Sequence, residues 1–293
     1  MSFQPVLPLT GYAGWGFLKR TIDRQQAVQQ TQPAQQRDEA YFRTKIGGIT
    51  TAGELVSDRR LLQVALTAFG LEGDINNRAF IQKILEGGTL QEGSLANRLA
   101  DKQYQKLSAA FGFGDFSVPR TKISTFPDEV LTRFRSRSFE AAVGVQNNTY
   151  RLGLNAEREL PELAARSVSE TTKWYTLLGS APLREVMQTA LGLPKSFASI
   201  DLDQQVSVLK DRARQAFGSD QVSQFADPAK MGDLVRRFVV RADLTAQGGA
   251  RCPPRSPCSF CAARGWPSIR NHPALPQPFP RRCVSCMRAP SAT

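Results

Sequence analysis

For its first 250 residues this 293-residue chain contains neither cysteine nor histidine. Residues 1–250 therefore cannot make a thiolate nucleophile, an imidazole base or the usual zinc sites, and any catalysis there would fall to Asp, Glu, Lys, Tyr, Ser or Thr. There is also no apolar run long enough to cross a bilayer, so no transmembrane segment is expected. The opening "MSFQPVLPLTGYAGWGFLKR" has no basic stretch before its apolar residues and no small-residue cleavage pattern, which argues against a Sec-type signal peptide. A cytoplasmic protein is the default expectation.

The formal charge of +12 is unevenly placed. Seven of the 38 basic residues, all arginines, lie between Arg251 and Thr293, where there is no lysine and no acid; the remaining 31 face 26 acids, a net of +5. The excess that would suggest a polyanionic partner thus belongs mainly to the tail, and no nucleic acid is expected to bind the body.

What the body does contain is helical periodicity. Apolar spacings of three and four recur from Gly11 to about residue 246, with an N-terminal helix carrying Trp15, Leu18 and Ile22 on one face. A second helix opens at Pro33 and ends before Gly47-Gly48. Thr51 and Glu54 have capping-box spacing, and the helix in "SDRRLLQVALTAFGL" stops at Gly70. Further helices are predicted at about 75–86, 94–111, 127–146, 155–178, 182–191, 201–217 and 228–246. The similarity of "RRLLQVALTAFGL" (59–71) to "PLREVMQTALGL" (182–193), with Leu62, Ala65 and Leu66 roughly matching Val186, Thr189-Ala190 and Leu191, suggests duplication. The expected fold is all-α: an N-terminal helical segment (1–50), one lobe (51–126), a second lobe (127–247) and a disordered tail (248–293).

The tail is another material. It holds nine of the 18 prolines, all five cysteines and the single histidine, His272. Cys258, Cys261, Cys283 and Cys286 form two Cys-x-x-Cys pairs, the donor set of a zinc ribbon that would bind nucleic acid. Against that reading, the 21-residue spacer is proline-dense where a hairpin is needed, and Cys252 is left over. The composition also matches GC-rich DNA read in a shifted frame, and that reading is preferred.

Candidate sites in the body are sparse. Gly112-Phe113-Gly114-Asp115 reads as a turn rather than a phosphate loop. The carboxylate pairs Glu157/Glu159 and Asp201/Asp203 read as helix-start caps. "RFRSRSF" (133–139) reads as a solvated face rather than a phosphate contact. Trp174 and Tyr175 are expected to pack within the helices. No catalytic residue and no cofactor is expected. Tyr12, Trp15 and Phe17, together with a groove between the lobes, are the candidate partner-binding elements.

Several stretches carry a resemblance: "MSFQPVLPLTGYAGWGFLKRT", "YFRTKIGGITTAGELVSDRRLLQVALTAFGL", "NNRAFIQKILEGGT", "LNAERELPELA" and "TKWYTLLGSAPLREVMQTALGLP" among them. They are similar to an alphaproteobacterial family from flagellar gene clusters known as domain of unknown function 1217. The resemblance runs to about residue 245 and the tail departs from it. It implies a largely helical protein associated with the flagellum, acting by protein–protein interaction with flagellar or export-apparatus components. It supplies no catalytic or ligand residues and leaves open whether the protein is a structural subunit, a chaperone or a regulator.

Overall fold

Helix signals and helix breakers alternate along the chain, and the resulting architecture, a computed structural model, describes residues 3–99 and 101–248. Among these there are thirteen α-helices and no strand, so the fold is all-α. In order they are α1 (Gly11–Gln30), α2 (Pro33–Ile46), α3 (Ala52–Ser57), α4 (Arg59–Phe69), α5 (Arg78–Gly87), α6 (Leu95–Arg98) and α7 (Lys102–Phe111). Then come α8 (Phe126–Gln146), α9 (Asn148–Ala164), α10 (Glu170–Gly179), α11 (Ala181–Leu191), α12 (Leu202–Phe217) and α13 (Pro228–Gly248). The tail, with its zinc-ribbon cysteines and its expected disorder, lies outside the described residues.

The local chemistry explains the boundaries. Thr51 and Glu54 form the reciprocal capping box that starts α3. Asp58 then accepts from the backbone N–H groups of Arg60 (2.9 Å) and Leu61 (3.1 Å), opening α4. Two single predicted helices are in fact pairs. The 94–111 stretch breaks because Leu99 is extended and the Asp101 carboxylate caps Gln103 N–H at 2.9 Å. The 155–178 stretch is α9 plus α10. Its first helix starts at Asn148, with Asn147 as cap, and the second is capped by Ser169, which accepts from Thr172 N–H at 3.2 Å. The buried Lys173 ammonium seals that break by donating to Ala164 O at 2.9 Å.

Burial divides the helices into two apolar cores. The first gathers Phe42 and Ile46 of α2, Leu62, Leu66 and Phe69 of α4, Ile81 and Leu85 of α5, Phe111 of α7, and Phe126 through Phe134 of α8. The second gathers Trp15 and Leu18 of α1, Phe139 and Val143 of α8, and the inner faces of α9 to α13. The change from one core to the other therefore falls inside α8, between Phe134 and Phe139. α1 and α2, adjacent in sequence, serve opposite cores.

The two stretches that resemble each other also end alike. Gly70 and Gly192 are both left-handed (φ +74° and +69°), and each closes its helix by the same pair of bonds. Gly70 N–H reaches Thr67 O at 3.1 Å and Leu71 N–H reaches Leu66 O at 2.9 Å; Gly192 to Thr189 and Leu193 to Gln188 repeat those lengths. The Ala-Phe-Gly endings of α7 and α12, at 110–112 and 216–218, also share a left-handed glycine. α4 packs on α8 as α11 packs on α13. On those two long helices an Arg-Phe-x-x-Arg string recurs, at 133–137 and 237–241, with Phe134 and Phe238 both buried. The second arginine of each string lies over the matching glycine: a Cβ added to Gly70 would stand 2.9 Å from Arg137 Nη1, and one added to Gly192 would stand 2.3 Å from Arg241 Nη1.

Candidate functional site

The densest polar chemistry lies where the two cores meet, on α7, α8 and α9. A helix places residues four apart on one face, so Arg137 and Glu140 of α8 and Asn155, Arg158 and Glu159 of α9 form facing rows along one helical hairpin. Arg137 donates to Glu159 at 2.7 Å, and Arg158 donates to both oxygens of Glu140 at 2.8 and 3.0 Å. Gln103 of α7 also donates to Glu159, at 2.9 Å. With its amide oriented to satisfy both guanidinium groups, Asn155 accepts from Arg137 at 3.2 Å and from Arg158 at 2.9 Å.

Glu159 is only 5% exposed, which decides its energetics. Burial alone would raise its pKa, but the charges of Lys106, Arg137 and Arg158 and the Gln103 bond outweigh burial and hold it below the ordinary carboxylate value. A carboxylate kept ionised in this way carries no proton to donate and has little tendency to accept one. The network acts as a lock between the cores. Small clefts of about 50, 230 and 300 Å³ surround it, sharing Gln103 among their walls.

Two sequence expectations are corrected here. Glu157 and Glu159 do not cap a helix start, because α9 begins at Asn148; Glu157 pairs with Lys19 at 2.7 Å and Glu159 is the centre of the buried network. The "RFRSRSF" stretch is not a solvated face throughout. Arg135 is bonded through Nε to Glu39 at 3.0 Å, and the Arg137 side chain is 15% exposed. By contrast, Asp201 does cap α12, accepting from Asp203 N–H at 2.9 Å. The 112–115 segment is the expected turn, and Asp115 from it accepts from the N–H groups of Thr89 (2.5 Å) and Leu90 (3.0 Å).

The candidate partner-binding residues separate. Tyr12 is exposed, with the Arg236 guanidinium 5.7 Å from its ring centre, and Phe17 is half-buried. Trp15 is buried against Tyr150, at 6.0 Å between ring centres, and fills the space left by Gly153. It anchors α1 to the second core and offers no surface to a partner. Trp174 is fully buried and bonds Asp220 O at 2.9 Å, and the partly exposed Tyr175 hydroxyl bonds Asp203. The N-terminal strap is pinned as well, with Val6 N–H donating to Gln25 at 2.9 Å and Gln146 donating to Pro5 O at 2.7 Å.

A wider groove, of about 840 Å³, opens at the C-terminal end of α13. Its walls include Leu152, Leu193, Phe238, Arg241 and Leu244. The partner-binding elements expected from the sequence, the N-terminal aromatics and a groove between the lobes, do not include this end. The repeated Arg-Phe-x-x-Arg string was the signal that pointed to it. Among the described residues no group of His, Cys, Asp and Glu is placed to hold a metal ion, and no helix is long and apolar enough to cross a membrane.

These features define an all-helical protein with two cores, an internal charged lock and an open groove at one end. The family described as "Protein of unknown function (DUF1217)" matches residues 68–231, more than half the chain, and the chain belongs to that family. It is similar in fold to the crystal structure of protein AGR_C_984 from Agrobacterium tumefaciens, with a TM-score of 0.68 and 24% identity over 83% of this chain and 99% of that one. No curated protein matches the sequence.

Proposed function

We propose that the protein is a non-catalytic, flagellum-associated component that acts by binding other flagellar or export-apparatus proteins, in the cytoplasm or at the base of the flagellum. The flagellar part rests on the resemblance carried by the quoted segments. The observation that carries the mode of action is a contrast in polarity. The clustered charges at the centre are matched to one another, Arg137 to Glu159 and Arg158 to Glu140, whereas Val240 and Leu244 of α13 stand exposed, Leu244 on the wall of the 840 Å³ groove. Compensated charge inside and apolar surface outside suit a protein that docks helices rather than one that turns over substrate.

Deleting the gene tests this reading. Reduced swimming in soft agar, with fewer or shorter filaments by electron microscopy and rescue by the gene in trans, is the expected result. Normal swimming with normal filament number would overturn it.

A further inference from the structure

The two copies of the Arg-Phe-x-x-Arg string are alike in register and unlike in environment. In the first, α9 lies along α8: Glu159 takes Arg137 and Arg158 takes Glu140, three residues further on, so that the Arg137 and Glu140 side chains are only 15% and 10% exposed. In the second, the position equivalent to Arg137 is Arg241 and the position equivalent to Glu140 is Leu244. Arg241 has no ion pair among the described residues and is exposed, and Leu244 is 63% exposed. The cavities repeat too. The 300 Å³ cleft is walled by Gly70, Arg137, Glu140 and Ala141, and the 840 Å³ groove by their counterparts Gly192, Arg241, Leu244 and Thr245. The first is closed by α9; the second is bordered by the first turns of α9 (Asn148, Thr149, Leu152) and by α11, and Arg241 and Leu244 stay exposed there where Arg137 and Glu140 are covered.

We infer that this groove is the docking site for a helix of a partner protein, seated on α13 as α9 is seated on α8. The charge and the substitution at the second position define the occupant. It carries a side-chain carboxylate for Arg241, where α9 has Glu159, and next to it an apolar residue for Leu244, where α9 has Arg158. The chain's own residues 251–293 contain no Asp or Glu and cannot supply that side-chain carboxylate. Glu185, on the groove wall, makes the site selective by repelling an acid placed on its side.

The inference rests on the reading of the chain as an interaction protein; the deletion phenotype tests that reading and a titration tests the surface, so each fails on its own. The probe is a fluorescent synthetic peptide of residues 148–164 carrying Arg158→Leu, titrated with the full chain and followed by anisotropy. Saturable binding is expected, weakened at least about tenfold by Arg241→Ala in the protein or Glu159→Gln in the peptide. Leu244→Glu should reverse the preference, so that the unsubstituted peptide, with its arginine, binds better than the leucine form. Both protein substitutions are at exposed positions, and circular dichroism verifies that the fold is kept. Absence of saturation up to about 1 mM peptide, or binding indifferent to Arg241→Ala, would overturn the inference. Concentration-dependent dimerisation in sedimentation velocity, abolished by Arg241→Ala, would overturn the choice of a foreign partner in favour of a second copy.

Discussion

The Arg137 guanidinium lies 2.7 Å from the Glu159 carboxylate at the point where the two apolar cores meet, and both side chains are largely removed from water. Removing one member leaves the other charged and buried, which costs far more than the pair itself contributes. Glu159→Leu is expected to destabilise the protein by about 3–5 kcal/mol in urea unfolding. Glu157→Ala, two residues away on the same helix but in a partly exposed pair with Lys19, should cost less than about 1 kcal/mol. Equal losses at the two positions would mean that the network is no lock.

The same carboxylate fixes a pH dependence. Glu159 is held below its ordinary value of 4.5 in the folded protein, so the unfolded chain binds its proton first as pH falls. Its contribution is fully present above about pH 4.5 and is lost as pH falls through the lower folded-state value. Unfolding free energies of the wild type and Glu159→Gln, measured between pH 7 and pH 3, should therefore converge on the acid side. The other carboxylates with lowered values, Glu39, Glu54, Asp58, Asp115, Glu170 and Asp220, titrate in both proteins and cancel from the comparison.

Most of the helical architecture was legible in the sequence because its signals are local. Pro33, the Thr51/Glu54 box and the glycines at 70 and 192 act within one turn of the helix ends they define. What escaped the sequence depends on distant partners. Glu159 looks like an ordinary surface acid until α8 brings Arg137 to it, and Trp15 looks like a docking aromatic until Gly153 and Tyr150 enclose it. The one long-range feature within reach was the duplication. It showed at "TAFGL" and "TALGL", but the Arg-Phe-x-x-Arg strings sit 104 residues apart while those glycine strings sit 122 apart. The unequal spacing between the copies hides the match from a fixed-period comparison.

The capping box offers a purely local check. Thr51 Oγ1 accepts from Glu54 N–H at 3.2 Å, and Glu54 returns the bond to Thr51 N–H at 3.3 Å and to Thr50 N–H at 2.7 Å. Thr51→Ala should lower the unfolding free energy by about 1 kcal/mol, and Thr51→Ser should restore most of it. α3 packs on both α4 and α5, so the loss should appear in the global transition and not as fraying alone.

Finally, the duplicated glycines separate backbone strain from side-chain crowding. Gly70 and Gly192 have nearly the same left-handed φ, so an alanine at either position pays the same conformational penalty of about 1–2 kcal/mol. Their neighbours differ. Arg137, over Gly70, is fixed by Glu159 and cannot swing aside without breaking the buried network; Arg241, over Gly192, is exposed and free of any ion pair among the described residues, so it moves away at little cost. Gly70→Ala should thus lower the urea midpoint distinctly more than Gly192→Ala. In a Glu159→Gln background, where Arg137 is held less firmly, the difference between the two should shrink. If the two alanines cost the same in the native background, Arg137 is not held as the geometry indicates. The asymmetry between the two copies would then be confined to exposure.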